Sequence, residues 1–409
     1  MNKQGQNSNP RLQNRPRPVR IPGETPRQSA GAPAAQRAKP HTRVYRRRLT
    51  VGKVIFRAFI LLLTVLLLAI YVLASALWTV AHGPSKSMRD LLVLSALQAS
   101  ATKWVPGLFL DKKTVNGILE NSQKVSVDTI SMDDFAAQTV DTDADPWENA
   151  KDGMLFETVR GATYKAYILL VKDPARVFVG ISSDFKSGRQ GINIFDAAKK
   201  YNAAAAINAG EFADAGGVGT GDNPIGLTYS QGALVWNDGH NARTFIGFDA
   251  HDRLYVTEGI TKADAEARGM RDAVCFQNGN TLITHDGEQL TVYYEDGNKG
   301  TAQRAAIGQR ADGTVILLVT DGRSASSIGA THNDVIDLML SYGAVTAGML
   351  DGGSSAMMYY ENWFEKYGYD TAALDQYQKR GLVNKYKAFT TPRKIPTFFM
   401  VGGETDAAE

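Results

Sequence analysis

Residues 314–355 read TVILLVTDGRSASSIGATHNDVIDLMLSYGAVTAGMLDGGSS. The first seven are a continuous apolar run, the pattern of a strand covered on both faces. The run stops at Asp321-Gly322-Arg323. Thr331 then stands where a helix N-cap belongs, ahead of an amphipathic stretch over 333–342 with Val335, Ile336, Leu338 and Met339 on one stripe. Gly343 follows as a C-cap, and a second strand over 345–350 ends in Asp351-Gly352-Gly353-Ser354-Ser355. The stretch is a strand–helix–strand unit. If its strands are parallel, Asp321 and Asp351 leave the sheet at one carboxyl edge, where open α/β sheets hold ligands.

The same logic recurs upstream. A helix over 194–201 leads into a small-residue strand, 203–207, that ends in Asn208-Ala209-Gly210-Glu211-Phe212. Gly210, Gly216, Gly217, Gly219 and Gly221 allow close approach of backbone to a ligand. Acids and glycines are also ordinary turn chemistry, so each strand end taken alone reads equally as a turn. Three of them favour a polar site at one sheet edge. Further strands are expected at 167–171 and 176–180 around Lys172-Asp173-Pro174. Hairpins are expected around Ser230-Gln231-Gly232, Ala250-His251-Asp252 and Ala311-Asp312-Gly313. The fold class is α+β with a mixed α/β sheet.

The net charge of +3 conceals two opposite pieces. Residues 1–57 carry 14 Lys and Arg against the single acid Glu24, leaving 31 basic and 41 acidic residues for the remainder. The basic piece is rich in Pro, Gln and Asn, lacks apolar periodicity and reads as disordered. It ends in Arg43, Arg46, Arg47, Arg48, Lys53 and Arg57, directly before 24 uncharged residues, 58–81. Those would span about 36 Å as a helix, enough to cross a plasma membrane with tilt, and Trp78 sits near the far end as an interfacial anchor. The basic cluster predicts a single pass with the N-terminus in the cytoplasm and the rest outside. Cleavage after Ala74-Ser75-Ala76 is the rival reading; the long leader and long apolar run favour an uncleaved anchor. Basic residues abutting a span are topology signals and anionic-lipid contacts, so no nucleic-acid partner is expected.

Beyond the span, 85–103 and 111–120 read as helices of a membrane-proximal stalk. The acidic stretch Asp141, Asp143, Asp145, Glu148 resembles the start of a calcium loop, but Pro146 replaces the turn glycine and Asp152 the closing Glu, so a solvated loop is favoured. The expected organisation is a basic leader at 1–53, an anchor at 54–81, a stalk at 82–125, an acidic linker at 126–154, a catalytic domain at 155–402 and a tail at 403–409. The lone Cys275 excludes an internal disulfide and any multi-cysteine metal site, and lies in an apolar strand as packing. His332, at a helix start, reads as a capping or surface residue, and His285, beside Asp286-Gly287, as exposed.

Arg304-Ala305-Ala306-Ile307-Gly308, Asp312-Gly313, Asp321-Gly322-Arg323, Gly329-Ala330-Thr331 and Leu350-Asp351-Gly352-Gly353-Ser354-Ser355, in that order, resemble the phosphodiester glycosidase family, which includes bacterial proteins linked to exopolysaccharide biosynthesis. Asn208-Ala209-Gly210-Glu211-Phe212 resembles its upstream motif; Ala305 and Glu211 depart from the pattern. The resemblance covers 155–402. It implies hydrolysis of the glycosidic bond of a sugar-1-phosphodiester in a cell-surface glycan or exopolysaccharide. That chemistry needs cations or amides for the phosphate and a carboxylate for water or the oxocarbenium-like transition state. Asp321 and Asp351 are then the candidate carboxylates, Asn208 a positioning group and Glu211 an additional carboxylate. Arg304 and Arg323 are candidate phosphate clamps, with amides of Gly322, Gly352, Gly353 and Ser354 as further donors. Arg304 and Asp351 read equally as a structural ion pair. No cofactor is indicated; a divalent cation is compatible with the chemistry. A transferase or P–O-cleaving phosphodiesterase at the same site, or a non-catalytic module binding wall or capsule polymer, are the alternatives.

Overall fold

A computed structural model of the 409-residue chain describes residues 50–97, 102–122, 124–138, 147–185, 191–214, 221–295, 300–322, 324, 327–386 and 391–403. The chain divides into two compact units, Met1–Val65 and Leu66–Glu409. Helix α1 (Val51–His82) crosses that boundary. Its 32 residues are long and apolar enough to span a membrane, and its most apolar stretch is not buried among the described residues.

The second unit holds α2 (Lys86–Leu97), α3 (Lys112–Asn121), α4 (Met132–Gln138), α5 (Ile194–Tyr201), α6 (Lys262–Ala267), α7 (His332–Ser341) and α8 (Trp363–Lys366). Its strands are β1 (Val125–Ser131), β2 (Met154–Arg160), β3 (Lys165–Val171), β4 (Val177–Ile181), β5 (Ala203–Asn208), β6 (Leu227–Ser230), β7 (Ala233–Asn237), β8 (Thr244–Asp249) and β9 (Leu254–Glu258). They continue with β10 (Met270–Phe276), β11 (Thr281–His285), β12 (Gln289–Glu295), β13 (Ala305–Arg310), β14 (Val315–Thr320), β15 (Ala344–Leu350), β16 (Met358–Tyr360) and β17 (Thr397–Gly402).

The α+β class holds, and the strands form three sheets. The first runs β1-β12-β11-β15-β13-β14-β3-β2, the second β7-β6-β10-β8-β9 and the third β16-β5-β17-β4. All three contribute to one core, which joins Ile307, Leu317 and Ala347 of the first sheet to Ile246 and Val274 of the second and Ile207 and Phe399 of the third. Period-two alternation sends neighbouring residues to separate cores. On β17, Phe399 and Val401 face the shared core, while Phe398 and Met400 face α5 through Ile194 and Ala197. On β10, Val274 and Phe276 face inward and Ala273 and Cys275 outward. Asp272 stitches sheets together: its Oδ1 accepts from Val179 N of β4 and from Gln231 N of the β6–β7 turn, each at 2.8 Å.

Strands β14 and β15 run in the same direction with β13 antiparallel between them. Their carboxyl ends therefore share a sheet edge but sit two strand spacings apart, about 10 Å. Helix α7 connects them, opened by a capping box in which Thr331 and Asp334 exchange hydrogen bonds. His332 is corrected here: it is buried, not exposed, and its Nδ1 contacts Glu295 Oε1. His285 is exposed at the end of β11, and Cys275 is buried.

Helices α2 and α3, in the segment expected to be a stalk, form a small core from Val93, Leu94 and Ile118. They touch the sheet domain where Thr301 N donates to Ser95 Oγ at 3.0 Å. The expectation of a linker over 126–154 gives way at its start. Strand β1 pairs with β12 over its whole length, from Val125 opposite Glu295 to Ser131 opposite Gln289. Asp141, Asp143 and Asp145 of the calcium-like stretch lie outside the described residues.

Candidate active site

One strand from each sheet ends at a common point. Beyond β5 the chain passes directly over β10 at Gly210. A Cβ there would lie 2.6 Å from Cys275 O and 2.9 Å from Val274 Cβ, so the crossing requires glycine. Glu211 N then donates to Cys275 O at 2.8 Å, and Asp351 N, at the end of β15, donates to Ala209 O at 3.0 Å. Backbone hydrogen bonds thus place Glu211 and Asp351 at the junction of all three sheets.

Asp351 keeps partial solvent access while protein crowds it closely. Burial pushes its carboxyl up to about 6, against hydrogen bonds from the Ser355 hydroxyl and Gly352 N and the positive charge of Arg393; Glu211 adds a smaller push in the same direction. Arg393 is fixed in turn. Its Nη1 donates to Ser355 Oγ at 3.2 Å and its Nη2 to Asp214 Oδ2 at 2.7 Å. Glu211 is also half-buried. Desolvation raises its pKa, opposed first by Arg243, whose Nη1 lies 3.1 Å from Glu211 Oε2. The arrangement is two carboxylates of elevated pKa, each with a guanidinium beside it, with solvent reaching both.

Asp321 has other company. Tyr167 Oη donates to its Oδ2 at 2.9 Å and Lys385 N to its Oδ1 at 2.8 Å. It is buried, and desolvation raises its pKa against those two bonds and the charges of Lys165 and Lys385. Both its oxygens are engaged within the protein, and they hold the segment 384–386 in place. Asn384 Oδ1 accepts from Met358 N at 3.1 Å, Tyr386 Oη donates to Ser354 O at 2.6 Å, and Arg393 N donates to Tyr386 Oη at 3.1 Å. Asp321 thus fixes the segment that shapes the loop after Asp351.

Other expected site residues are placed as follows. Asn208 is fully buried; its Nδ2 donates to Asp351 O at 2.6 Å and its Oδ1 accepts from Met357 N at 3.0 Å, so it shapes the loop from within. The Arg304 guanidinium is buried and donates to Gly300 O at 2.8 Å and Ala330 O at 3.2 Å. Gly353 N donates to Gln303 O at 2.8 Å, and Gly352 N faces the Asp351 carboxylate. Gly322 packs where a Cβ would meet Gln303 Cγ at 2.7 Å. Arg323, like Gly216, Gly217 and Gly219, lies outside the described residues. Sequence reasoning missed Arg393, Arg243 and the role of Ser355. Ser355 closes the quoted motif, whereas Arg393 and Arg243 stand in no pattern that marks them.

Residues 201–402 match the family model described as phosphodiester glycosidase. That description is of a family of glycosidase-type hydrolases. Over 201–402 the chain carries a domain of the phosphodiester glycosidase family. Among curated proteins, the SPbeta prophage-derived uncharacterized protein YomE of Bacillus subtilis (strain 168) is 32% identical over 173 residues, covering 40% of this chain and 25% of that protein. The match therefore spans only a quarter of that relative's length. Among solved structures, the catalytic domain of zebrafish N-acetylglucosamine-1-phosphodiester alpha-N-acetylglucosaminidase, auto-inhibited by its pro-peptide, aligns over 68% of this chain and 88% of that one, with 18% identity and a TM-score of 0.45. A putative exported protein of Burkholderia pseudomallei K96243 aligns over 58% and 74%, with 15% identity and a TM-score of 0.39.

Proposed function

We propose that the domain hydrolyses the glycosidic bond of sugar-1-phosphodiesters in cell-surface glycans, with Asp351 as the acting carboxylate and Glu211 as its partner. The observation that carries this reading is the meeting of Asp351, Glu211 and Arg393 at the three-sheet junction of a phosphodiester glycosidase domain. A carboxyl group of pKa about 6 is largely ionised at neutral pH and can accept a proton from water. The water oxygen bonds to the anomeric carbon, the bond from that carbon to the phosphate oxygen breaks, and the phosphomonoester departs with the electron pair. The water proton goes to Asp351. Arg393 supplies positive charge beside the departing phosphate, while the Ser355 hydroxyl orients the Asp351 carboxylate. Glu211, held by Arg243, stabilises the developing positive charge on the sugar ring. We also propose that α1 anchors the chain in the plasma membrane with its N-terminus in the cytoplasm and the domain outside, as the basic leader and the following apolar helix support.

The test is turnover of a panel of sugar-1-phosphodiesters in oxygen-18 water by the detergent-solubilised full chain. Free sugar carrying the label, with unlabelled phosphomonoester, is expected. Label in the phosphate points to P–O cleavage instead, and an absence of turnover across the panel favours the polymer-binding reading.

A further inference from the structure

A seven-residue apolar run in the stalk, Trp104-Val105-Pro106-Gly107-Leu108-Phe109-Leu110, is preceded by Lys103 and followed by Asp111, whose carboxylate is taken up by Thr114 N and Oγ1, and then by Lys112 and Lys113. In a water-facing connector such a run would be folded inward. Instead Trp104 is 63% exposed and Leu108 61%. The flanking lysines are exposed as well. The Phe109 ring meets the Trp78 ring edge-on, with centroids 6.5 Å apart. Trp78 lies one turn before the end of α1 and stacks on His82.

Depth follows from these contacts. The uncharged run 58–81 spans about 36 Å against a hydrocarbon core of about 30 Å, so Trp78 stands at the boundary between acyl chains and headgroups. Phe109, in contact with it, lies at the same level. The backbone of the run suits such a layer. Leu108 N donates to Val105 O at 3.0 Å, Phe109 N to Pro106 O at 3.1 Å and Leu110 N to Pro106 O at 2.9 Å, while Pro106 has no N–H to satisfy. Between the end of α1 and this turn lies a cleft of about 310 Å³ bordered by His82, Arg89 and Phe109.

We propose that residues 104–110 form a membrane-docking turn that inserts Trp104, Leu108 and Phe109 into the bilayer surface from which α1 emerges at His82. The inference rests on the anchor reading above. Its occupant is a lipid surface: the turn touches the end of the span, and its lysines suit anionic headgroups. The span and the turn then hold the stalk at two points.

The test uses the full chain in phosphatidylcholine–phosphatidylglycerol vesicles, spin-labelled in turn at Leu108→Cys, Trp104→Cys, Leu67→Cys and Val127→Cys. The buried Cys275, its thiol pushed up to about 12, does not compete for label. Val127 is exposed on β1 and serves as the water-facing reference. Labels at 108 and 104 are expected to show a higher ratio of oxygen to nickel-chelate collisions than the label at 127, and an intermediate ratio relative to 67. If 67 reports hydrocarbon while both 108 and 104 match 127, the docking turn is overturned and the anchor stands. If 67 also reports water, the anchor reading fails and the docking turn falls with it.

Discussion

Strands β14 and β15 run in the same direction and each ends in Asp-Gly, yet their surroundings differ at every atom of the carboxylate. At Asp321 one oxygen takes the Tyr167 hydroxyl and the other Lys385 N, and the group is sealed from solvent. At Asp351 the partners are a serine hydroxyl, an adjacent amide and a guanidinium, with a second carboxylate nearby and solvent within reach. The two carboxylates share a sequence motif and a sheet edge. In the proposed function their division of work follows from what packs against them: β3 and the 384–386 segment at one, the ends of β5 and β10 at the other. A motif alone does not separate a carboxylate that holds the fold from one free to act on a substrate.

That contrast can be broken by mutation. Asp351→Asn is expected to lower turnover by about 10²–10⁴-fold, the usual contribution of a general acid or base. The same variant should be more stable than the parent at pH 7.5. Asp351 binds its proton more tightly folded than unfolded, so its charge opposes folding above about pH 6, and that opposition fades as pH falls. Removing the charge returns up to about 3 kcal/mol, read as a higher midpoint in urea. A variant that loses turnover and stability together would place Asp351 with Asp321 as a structural group. Tyr167→Phe tests the other side. Leaving one oxygen of buried Asp321 without its donor costs about 1–3 kcal/mol, visible in the thermal midpoint. Turnover per folded molecule should change far less than for Asp351→Asn.

Smaller effects sharpen the picture of Asp351. Activity is expected to fall as pH drops through about 6, where Asp351 takes up its proton. Arg393→Met removes a positive neighbour and moves that acid limb upward by about one unit. Glu211→Gln removes a negative one and moves it downward, by less than about one unit. Both shifts are read from kcat/KM profiles. Movement of both limbs in the same direction would break the electrostatic account.

Local features were legible in the sequence. The β6–β7 turn has Gln231 and Gly232 at φ +50° and +82°, as a tight hairpin requires, and it falls at the expected Ser230-Gln231-Gly232. Thr331 caps α7, as its short-range pattern indicates, and α3 falls where a helix is expected over 111–120. The strand ends carrying Asp321, Asp351 and Asn208 were also visible. The junction was not, because its pairings are long-range: the bond from Tyr167 to Asp321 spans 154 residues and that from Asn208 to Asp351 spans 143. A buried asparagine that shapes a loop and one that binds a ligand carry the same letter. Arg304 illustrates the same limit: a guanidinium near a motif can serve carbonyls, here Gly300 and Ala330, as well as phosphate.

Strand β1 has a practical consequence for anyone cutting the chain. It lies outside the family match, which begins at residue 201, yet it forms the outer rail of the eight-stranded sheet. A fragment beginning at Leu155 would leave the amide and carbonyl row of β12 bare along seven residues, an open template for another copy. Such a fragment is expected to self-associate in gel filtration, while one beginning ahead of Val125 stays dispersed. The segment that looks like a tether to the membrane is also the guard on the domain's sticky side.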